Sequence, residues 1–434
     1  MSSPRRAALP AAVLVVALAL VGCGSDQTDR HAPTDSPGPA PADATTPSSA
    51  SAGSEGPAPT IPAEACHSPL DELTQRERIA QLFTVGVSSM EDARRAVHEH
   101  RIGGIFLGGD VVGEVVAGDE LAGLQDESPL PLLVAIDEEG GRVSRIAPFA
   151  GPIPSARVMA ATMAPDEVRQ LARDRGDFLR GMGVTVDFAP SVDVSAQPDG
   201  AVIGDRSFSP DPAQVVAYAR AFAAGLSDAG VTPVFKHFPG HGSSSGDSHH
   251  GSVSVPPLEH LVTHDLRPFA ELAETPGAAM MTGHQQVPGL TDVDRPASLS
   301  PAAYRLLREG HGYGARPFDG VVFTDDLSGM RAVTDGFPLP LAVTEALLAG
   351  ADSPLWITTD GLPAVLDAVE QAVATGVLTR DQLDASLARM AALRGIPGCL
   401  SGPITTSAGD VGSLAGPSPY PDLPPRPGLP ALPR

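Results

Sequence analysis

The pattern of apolar and polar positions between about Ser68 and Gly398 repeats a single unit. A short, nearly continuous apolar run is followed by a polar loop and then by a stretch with helical spacing. Continuous apolar runs are typical of strands that are buried on both faces of a parallel sheet. The predicted strands are Ala80–Val87, Ile102–Leu107, Leu130–Asp137, Thr185–Ala189, Thr232–His237, Ala278–His284, Gly320–Asp325 and Pro354–Thr358.

Helical spacing is clearest in four segments between these strands. All four begin with a proline, whose missing N–H costs no hydrogen bond in the first turn. Eight strand–helix repeats in about 330 residues predict an α/β fold, a closed (β/α)8 barrel of the TIM type. An open doubly wound sheet is the alternative, but no Gly-x-Gly-x-x-Gly or P-loop pattern supports it. The predicted helices are Pro165–Met182, Pro212–Ala229, Pro301–Glu309 and Pro363–Thr375.

The two ends of the chain lack this alternation. Residues 1–22 hold two arginines and then an apolar run too short for a comfortable bilayer span, which predicts a secretory signal peptide. The run ends in LVGC at Cys23 and resembles a bacterial lipobox, which implies lipidation of Cys23 and a cell-envelope protein anchored to the membrane. An ordinary signal peptide with an incidental cysteine is the alternative. We predict a disordered tether over 23–61, a catalytic domain over 62–400 and a Pro-rich tail over 401–434.

The chain contains three cysteines. If Cys23 carries lipid, Cys66 and Cys399 remain as a pair at the two ends of the predicted folded region. Outside the cytoplasm these two thiols could form one disulfide. Two unrelated buried thiols are the alternative.

The net charge of the chain limits the classes of partner that it can bind. Lys and Arg number 29 against 52 Asp and Glu, which gives a net charge of −23. This balance argues against nucleic-acid binding, because phosphate contacts need basic stripes. Lys236 is the only lysine, and it lies near the end of a predicted strand. A single lysine in a chain that otherwise uses arginine indicates a position that requires a compact ammonium group. The alternative is that this lysine is accidental.

Ionisable side chains follow nearly every predicted strand, at the end where (β/α)8 barrels carry their active sites. The third strand runs into DEEGGRVSR from Asp137, and the fourth is followed by APSVDV. The fifth runs into KHFPGHG from Lys236, the sixth ends at His284, and the seventh ends in TDDL with Asp325. Solvated charges could explain any one of these groups but hardly the whole set. The sequence therefore predicts an active site at this rim.

These motifs, with IGDRSF after the fourth strand and DSH at Asp247–His249, resemble glycoside hydrolase family 3 in its β-N-acetylhexosaminidase (NagZ-type) branch. The motifs stand in the family's order, and the resemblance covers about Ser68 to Gly398. It implies a single-domain, retaining exo-hydrolase that removes terminal β-linked N-acetylglucosamine, with peptidoglycan fragments as the expected carbohydrate partner. We expect a monomer without a cofactor or metal.

A retaining glycosidase needs a carboxylate nucleophile and an acid/base beside the glycosidic oxygen. The resemblance assigns the nucleophile to Asp325 and the acid/base to His249, partnered by Asp247. Residues two apart in an extended loop lie on one side, so the carboxylate can orient the imidazole. Glycines border this loop and predict that it is mobile. The family commonly reads D-D-L-S-M after the nucleophile, whereas here Gly329 precedes Met330.

The same resemblance implies five sugar-binding residues. A carboxylate would accept hydrogen bonds from sugar hydroxyls, and four basic side chains would donate them. The predicted set is Asp137, Arg145, Arg206, Lys236 and His237.

Several neighbouring residues have structural roles as alternatives. Asp326 should face away from the side of its predecessor, because adjacent strand residues point to opposite faces, and we expect it to cap the next helix. Arg142 could pair with Glu138–Glu139. His284 could line the pocket or lie in the core, and Trp356 is expected in the core.

Other functions remain open at this stage. Metal-dependent hydrolysis is one, because several side chains of metal-ligand type lie close together in one loop. Their spacing matches no metal motif, however, and the glycines and serines between them do not form a rigid cage. A sugar-binding lipoprotein without turnover is another. A β-glucosidase or a phosphorylase could use the same residues, since an imidazole acid tolerates an anionic acceptor better than a carboxylate does. The possible metal ligands are His237, His241, Asp247, His249 and His250.

Overall fold

The barrel strands lie where the apolar runs predicted them, although most are shorter than predicted. The computed structural model describes residues 68–118 and 120–397, and within them eight parallel strands form one sheet. The observed strands are β1 Thr84–Val87, β2 Gly104–Leu107, β3 Leu133–Ile136, β4 Val186–Asp187, β5 Thr232–Phe238, β6 Ala279–Thr282, β7 Val322–Thr324 and β8 Leu355–Trp356.

The sheet order shows that the strands form a ring. It runs β7-β6-β5-β4-β3-β2-β1-β8, so β1 pairs in parallel with both β2 and β8. A parallel bridge between Phe323 on β7 and Ser353, just ahead of β8, joins the two ends of the sheet. This closure confirms the predicted (β/α)8 barrel and excludes the open doubly wound sheet.

Helices alternate with the strands, and their starts follow capping rules. Pro212 opens one long helix after Asp211, whose Oδ1 accepts a hydrogen bond from the Ala213 N–H at 3.0 Å. The four helices predicted from spacing are confirmed to within one residue at each end. The helices are α1 Gln75–Ala80, α2 Met90–His100, α3 Gly109–Ala117, α4 Glu120–Glu127, α5 Ala147–Ala150, α6 Ala156–Thr162, α7 Pro165–Gly181, α8 Pro212–Asp228, α9 Leu258–Thr263, α10 Leu266–Leu272, α11 Pro301–Glu309, α12 Arg331–Thr334, α13 Leu339–Ala349, α14 Leu362–Ala374 and α15 Arg380–Leu393.

The predicted start of the first strand at Ala80 is wrong, because Ala80 is the last residue of α1. A capping box begins this helix: the Thr74 hydroxyl accepts from the Glu77 N–H, and the Glu77 carboxylate accepts from the Thr74 N–H. An apolar run has no periodicity that separates a buried helix end from a buried strand. The capping residues upstream, and not the run itself, decide the boundary.

Aromatic side chains fill part of the core. Phe188 packs against Phe106 and Phe323, with ring centroids 5.8 and 5.2 Å apart. Trp356 is fully buried and meets Phe83 edge to face at 5.2 Å, as expected of a core residue. The rigid ring of strands positions the loops at its carboxyl end.

The described chain begins and ends at one place, because the Ser68 hydroxyl donates a hydrogen bond to the Pro397 carbonyl at 3.2 Å. Cys23, Cys66 and Cys399 lie outside the described residues, as do the predicted signal peptide, tether and tail. Among the described helices, none combines the length and the apolar character that crossing a bilayer requires.

Candidate active site

Lys236 lies at the centre of a cluster of charged groups at the carboxyl end of the barrel. Its ammonium is buried, 2.7 Å from Asp137 Oδ1 and 2.7 Å from Glu139 Oε1. Arg145 reaches Asp137 more loosely, with its Nη2 3.8 Å from Oδ2. A short ammonium between two carboxylates fits the interpretation that this lone lysine is required here.

Glu139, which the sequence suggested only as a partner of Arg142, is a further charged residue of this site. Arg206 holds it with two hydrogen bonds, Nε to Oε2 at 2.8 Å and Nη2 to Oε1 at 2.7 Å. Burial by itself would raise the pKa of Glu139, but Arg206 and Lys236 together hold it well below its usual range. Its position two residues beyond Asp137, in the same polar run after β3, was the signal available in the sequence.

Lys236 and His237 are consecutive on β5, yet both reach polar groups of the site. The register between β5 and β6 shifts between Lys236 and Phe238, which marks a bulge. Bulges re-aim side chains and are frequent near active sites. This irregularity lets two neighbouring residues serve one site.

Asp193 positions His237. Its Oδ2 lies 2.6 Å from His237 Nδ1, and its Oδ1 accepts the His241 N–H at 2.6 Å. Burial would raise the pKa of Asp193, but His237 and these hydrogen bonds lower it. Because a carboxylate only accepts, His237 carries a proton on Nδ1 and turns Nε2 toward Asp325 Oδ2, 4.0 Å away.

Asp325 follows β7 directly, and its side chain is 13% exposed. Burial would raise its pKa, but His237, Lys236 and the Asp326 N–H lower it to about 2. Its Oδ1 also accepts the Asp326 N–H at 2.9 Å. The carboxylate is therefore ionised at neutral pH, the state that a nucleophile requires.

Asp326 is not the cap of the next helix, and that prediction is wrong. Its carboxylate accepts from the Ser328 N–H at 2.8 Å and the Gly329 N–H at 2.9 Å, so it closes a turn. Helix α12 begins only at Arg331, beyond this turn. A Cβ at Gly329 would lie 2.5 Å from Asp326 Oδ2, which explains why glycine occupies the position that departs from the family.

His284 has a structural role, which resolves the alternative left open by the sequence. Its Nε2 lies 2.8 Å from the Asp326 carbonyl, and its Nδ1 lies 2.7 Å from the Ser298 hydroxyl. The carbonyl requires a proton on Nε2, so Nδ1 accepts in the neutral ring. Burial lowers the pKa of His284, consistent with a neutral imidazole beneath the Asp325–Asp326 turn.

Arg142 does not pair with Glu138–Glu139, contrary to one of the predictions. Its Nε lies 2.8 Å from Asp205 Oδ1, and its guanidinium also donates to backbone carbonyls of the loop 201–203. Glu138 instead accepts from the Ser144 hydroxyl at 2.7 Å and lies 3.7 Å from Arg175. The acidic pair faces inward, whereas the loop after β4 supplies the partner for Arg142.

His249 and Asp247, predicted as the acid/base and its partner, are in contact. His249 Nδ1 lies 2.8 Å from Asp247 Oδ1, and the His249 N–H donates to the same oxygen at 2.9 Å. Burial would raise the pKa of Asp247, but the hydrogen bonds from His249 lower it. The His249 side chain is 54% exposed, as expected of a group that must meet a substrate.

The loop that carries His249 and Asp247 packs against the segment that follows Asp325. The Ala332 N–H donates to the Ser248 carbonyl at 3.0 Å, and the Ser248 hydroxyl meets Met330 Sδ at 3.5 Å. Ser248 lies between the two members of the dyad. The dyad and Asp325 therefore belong to the same mouth of the barrel.

The histidine set proposed for a metal-dependent hydrolase does not converge. His237 and His241 are buried beside Asp193, whereas His249 and His250 are exposed on the following loop. Among the described residues these side chains form no group whose ligand atoms are close enough for one ion. The geometry thus favours a carboxylate–imidazole glycosidase site over a metal hydrolase.

Comparison with known proteins shows the family of the chain. Residues 74–393 match the family described as Glycosyl hydrolase family 3 N terminal domain. The chain is 52% identical over 337 residues to Beta-hexosaminidase LpqI of Mycobacterium tuberculosis, an alignment that covers 75% of this chain and 84% of that protein. The structure of a family 3 glycosyl hydrolase from Mycobacterium smegmatis matches with 53% identity and a TM-score of 0.73, over 75% of this chain and 98% of that one.

A more distant solved structure extends the comparison. The family 3 β-N-acetylglucosaminidase from a Paenibacillus species is 32% identical, with a TM-score of 0.70, over 77% of this chain and 65% of that one. The chain therefore belongs to glycosyl hydrolase family 3 and is a glycoside hydrolase, as the order of its motifs predicted.

Proposed function

We propose that this chain is a retaining exo-β-N-acetylglucosaminidase that acts on peptidoglycan fragments. The observation that carries the proposal is Asp325, a buried carboxylate kept ionised at the end of β7, at the same mouth of the barrel as the His249–Asp247 dyad. Relatives named Beta-hexosaminidase support the β-N-acetylhexosaminidase class predicted from the sequence. Peptidoglycan fragments are the substrate because the predicted envelope location would bring the enzyme to them.

In the first step, an oxygen of Asp325 forms a bond to the anomeric carbon while the bond from that carbon to the aglycone oxygen breaks. The departing oxygen receives a proton from His249, whose Nδ1 is engaged by Asp247 and whose Nε2 is the nitrogen for proton transfer. The products are a glycosyl-enzyme ester and the free aglycone.

In the second step, the now neutral His249 takes a proton from water, and the water oxygen attacks the anomeric carbon. The ester bond to Asp325 breaks and the carboxylate is regenerated. Two displacements at one carbon return the original anomeric configuration. The cycle ends with His249 protonated, as it began.

The charged cluster around Lys236 binds the sugar. Asp137 has room to accept from sugar hydroxyls because its side chain is partly exposed, while Lys236 and Arg145 can donate. Arg206 and Glu139 stabilise the position of Lys236 and, with His237, form the floor. Charge-assisted hydrogen bonds of this kind give orientation as well as affinity.

The test is the stereochemistry of the first product. Proton NMR of a defined β-linked N-acetylglucosamine disaccharide during turnover should show the β-anomer of the released sugar before mutarotation. The α-anomer as first product would refute retention. Added phosphate should not change the rate, and formation of a glycosyl phosphate would identify a phosphorylase instead.

Asp247→Asn is expected to lower kcat by about 10²–10⁴-fold for a disaccharide with a poor leaving group. The amide no longer fixes the proton on His249 Nδ1, so the imidazole loses its orientation and its stabilised cation. The loss should be much smaller for a dinitrophenyl glycoside, whose leaving group needs no proton. Steady-state kinetics on both substrates measures this difference.

His250→Ala is the matched control for that variant, since its side chain is the next on the loop, is 84% exposed and approaches Asp247 Oδ2 only to 3.8 Å. It should keep a nearly normal rate on both substrates. An equal loss with both leaving groups in Asp247→Asn would contradict the assignment of the dyad as acid/base.

We also propose a lipid on Cys23 and a disulfide between Cys66 and Cys399. The lipobox-like sequence supports the first, and the contact between Ser68 and Pro397 supports the second, since each cysteine stands two residues outside that contact. The mass of the intact protein purified from membranes should match a chain that begins at lipidated Cys23 and should rise by two hydrogens on reduction. A mature chain that lacks lipid, or a mass unchanged by reductant, would contradict the respective assignment.

A further inference from the structure

Two histidines and an aspartate meet at the corner between α9 and α10, away from the residues assigned to catalysis. One ligand-type atom from each of His260, His264 and Asp265 lies within 4.8 Å of the others. The two histidines are four positions apart, and their ring centroids are 5.6 Å apart. The corner therefore presents two imidazoles and a carboxylate to one point.

Within the described residues, the Asp265 carboxylate has one hydrogen-bond partner, His264. It occupies the position before the first residue of α10, where an aspartate ordinarily accepts a helix N–H, yet its side chain makes no capping hydrogen bond. The side chain is fully buried, with Oδ2 3.1 Å from His264 Nδ1. Oδ1 has no hydrogen-bond partner among the described residues. Leaving a buried carboxylate oxygen without a partner is costly, and a bound cation would compensate it.

The histidines provide access from solvent. The exposed side chain of His260 and the partly buried one of His264 lie above the buried Asp265. The cluster therefore extends from an exposed imidazole to a buried carboxylate.

We propose that His260, His264 and Asp265 bind a divalent transition-metal ion of the zinc class, with water completing the coordination. Two imidazole nitrogens and one carboxylate oxygen suit Zn²⁺ and its neighbours. Mg²⁺ and Ca²⁺ prefer all-oxygen sites, so they fit poorly. The site is separate from the His249–Asp247 loop, which the sequence had offered as a metal candidate.

The ion would stabilise the turn that follows β5. Asp265 packs so closely on Gly240 that a Cβ there would lie 2.6 Å from the Asp265 Cβ. The Gly240 N–H donates to the His237 carbonyl at 2.8 Å. A metal at this corner would thus tie the start of α10 to the backbone beneath His237 without touching substrate. Its role is structural, and its loss should change activity much less than stability.

Metal binding to the full-length protein tests the proposal. After chelation and dialysis, Zn²⁺ titration against a chromophoric competitor should show one tight equivalent, and Co²⁺ should give visible absorption bands typical of nitrogen–oxygen ligation. Saturating Zn²⁺ should raise Tm by about 3–5 °C. His260→Ala and His264→Ala should each weaken binding at least about tenfold and abolish the rise in Tm.

Two controls separate this site from others. His311→Ala removes a histidine that is 79% exposed and should leave binding unchanged. The double variant His249→Ala, His250→Ala removes the loop histidines and should also retain the tight equivalent. Loss of that equivalent in either control, or normal Zn²⁺ and Co²⁺ binding in both His260→Ala and His264→Ala, would overturn the proposal.

Discussion

Asp325→Asn should lower kcat/KM for a chromogenic N-acetylglucosaminide by on the order of 10⁴-fold or more. The amide cannot form the covalent glycosyl-enzyme, and the neighbouring Asp326 carboxylate is engaged by the Ser328 and Gly329 N–H groups. The folded protein should lose only about 2 kcal/mol of stability, because the variant removes a carboxylate whose pKa is lowered from 3.8 to about 2. Initial rates and denaturant unfolding measure the two quantities.

The matched control is Asp177→Asn, which neutralises an exposed aspartate on the outer helix α7. It should leave both rate and stability near those of the unchanged protein. Azide offers a second measurement: in Asp325→Ala it can enter the emptied space, and it should restore part of the rate with an α-glycosyl azide as product. A wild-type rate in Asp325→Asn would refute the mechanism.

The pKa of Asp325 also predicts part of the pH profile. Since that pKa is about 2, the nucleophile remains ionised at all pH values above about 3. Any fall in activity between pH 4 and pH 7 must then come from another group. We expect Asp247→Asn to shift the pH at which activity falls, because Asp247 contacts the acid/base directly.

Glu139→Gln should raise KM at least about tenfold and lower the free energy of unfolding by about 3–5 kcal/mol. The variant removes the negative charge of Glu139, which Arg206 and Lys236 share, while both cations stay buried. The Lys236 ammonium then no longer has a fixed position beneath the sugar. Effects on kcat should be smaller, since Glu139 acts through Lys236 and touches no reacting atom. Michaelis–Menten kinetics and urea unfolding separate the two losses.

The stability deficit of Glu139→Gln should depend on pH in one direction. The folded-state pKa of Glu139 lies below its unfolded value, so its stabilising contribution is fully present above about pH 5. It is lost as the pH falls below the unfolded value toward the folded one. The difference in unfolding free energy between the variant and the unchanged protein should therefore shrink in acid. A difference that stays constant down to pH 3 would contradict the ion-pair assignment.

Asp352→Asn provides the control for a buried ion pair without a sugar nearby. Asp352 binds Arg308 and Arg389, and its carboxylate accepts the N–H of the first residue of β7, at the opposite end of the barrel. This variant should lose comparable stability while its KM stays unchanged. If KM rose in both variants, the rise in Glu139→Gln would come from a general loosening of the barrel.

Much of the fold could be predicted from the sequence because a parallel barrel imposes a simple pattern. Strands buried on both faces must be apolar along their whole length, so the eight runs were visible. The position of the rim then followed, and with it Asp137, Lys236 and Asp325, since each stands near the end of a run. The identity of the nucleophile and of His249 came from the family's motifs, and not from the barrel itself.

The tertiary structure decided which charged groups meet. Glu139 contacts Arg206, 67 positions away, and His237 contacts Asp193, 44 positions away. Neither pairing follows from a local pattern, because both depend on the order and register of the strands that bring these loops together. The bulge in β5, which directs Lys236 and His237 to one site, is equally invisible in a run of apolar and polar letters.

The two failed predictions about polar partners have the same physical origin. Arg142 was assigned to neighbouring glutamates, and Asp326 to the next helix, because sequence proximity was the only guide. In the folded chain Arg142 finds Asp205 across a loop, and Asp326 closes a turn that delays α12 until Arg331. The chain by itself determined which side chains line the rim, through burial and strand length. Only the packed barrel decided their partners, because hydrogen bonds and ion pairs form over a few ångströms between segments that are distant in sequence.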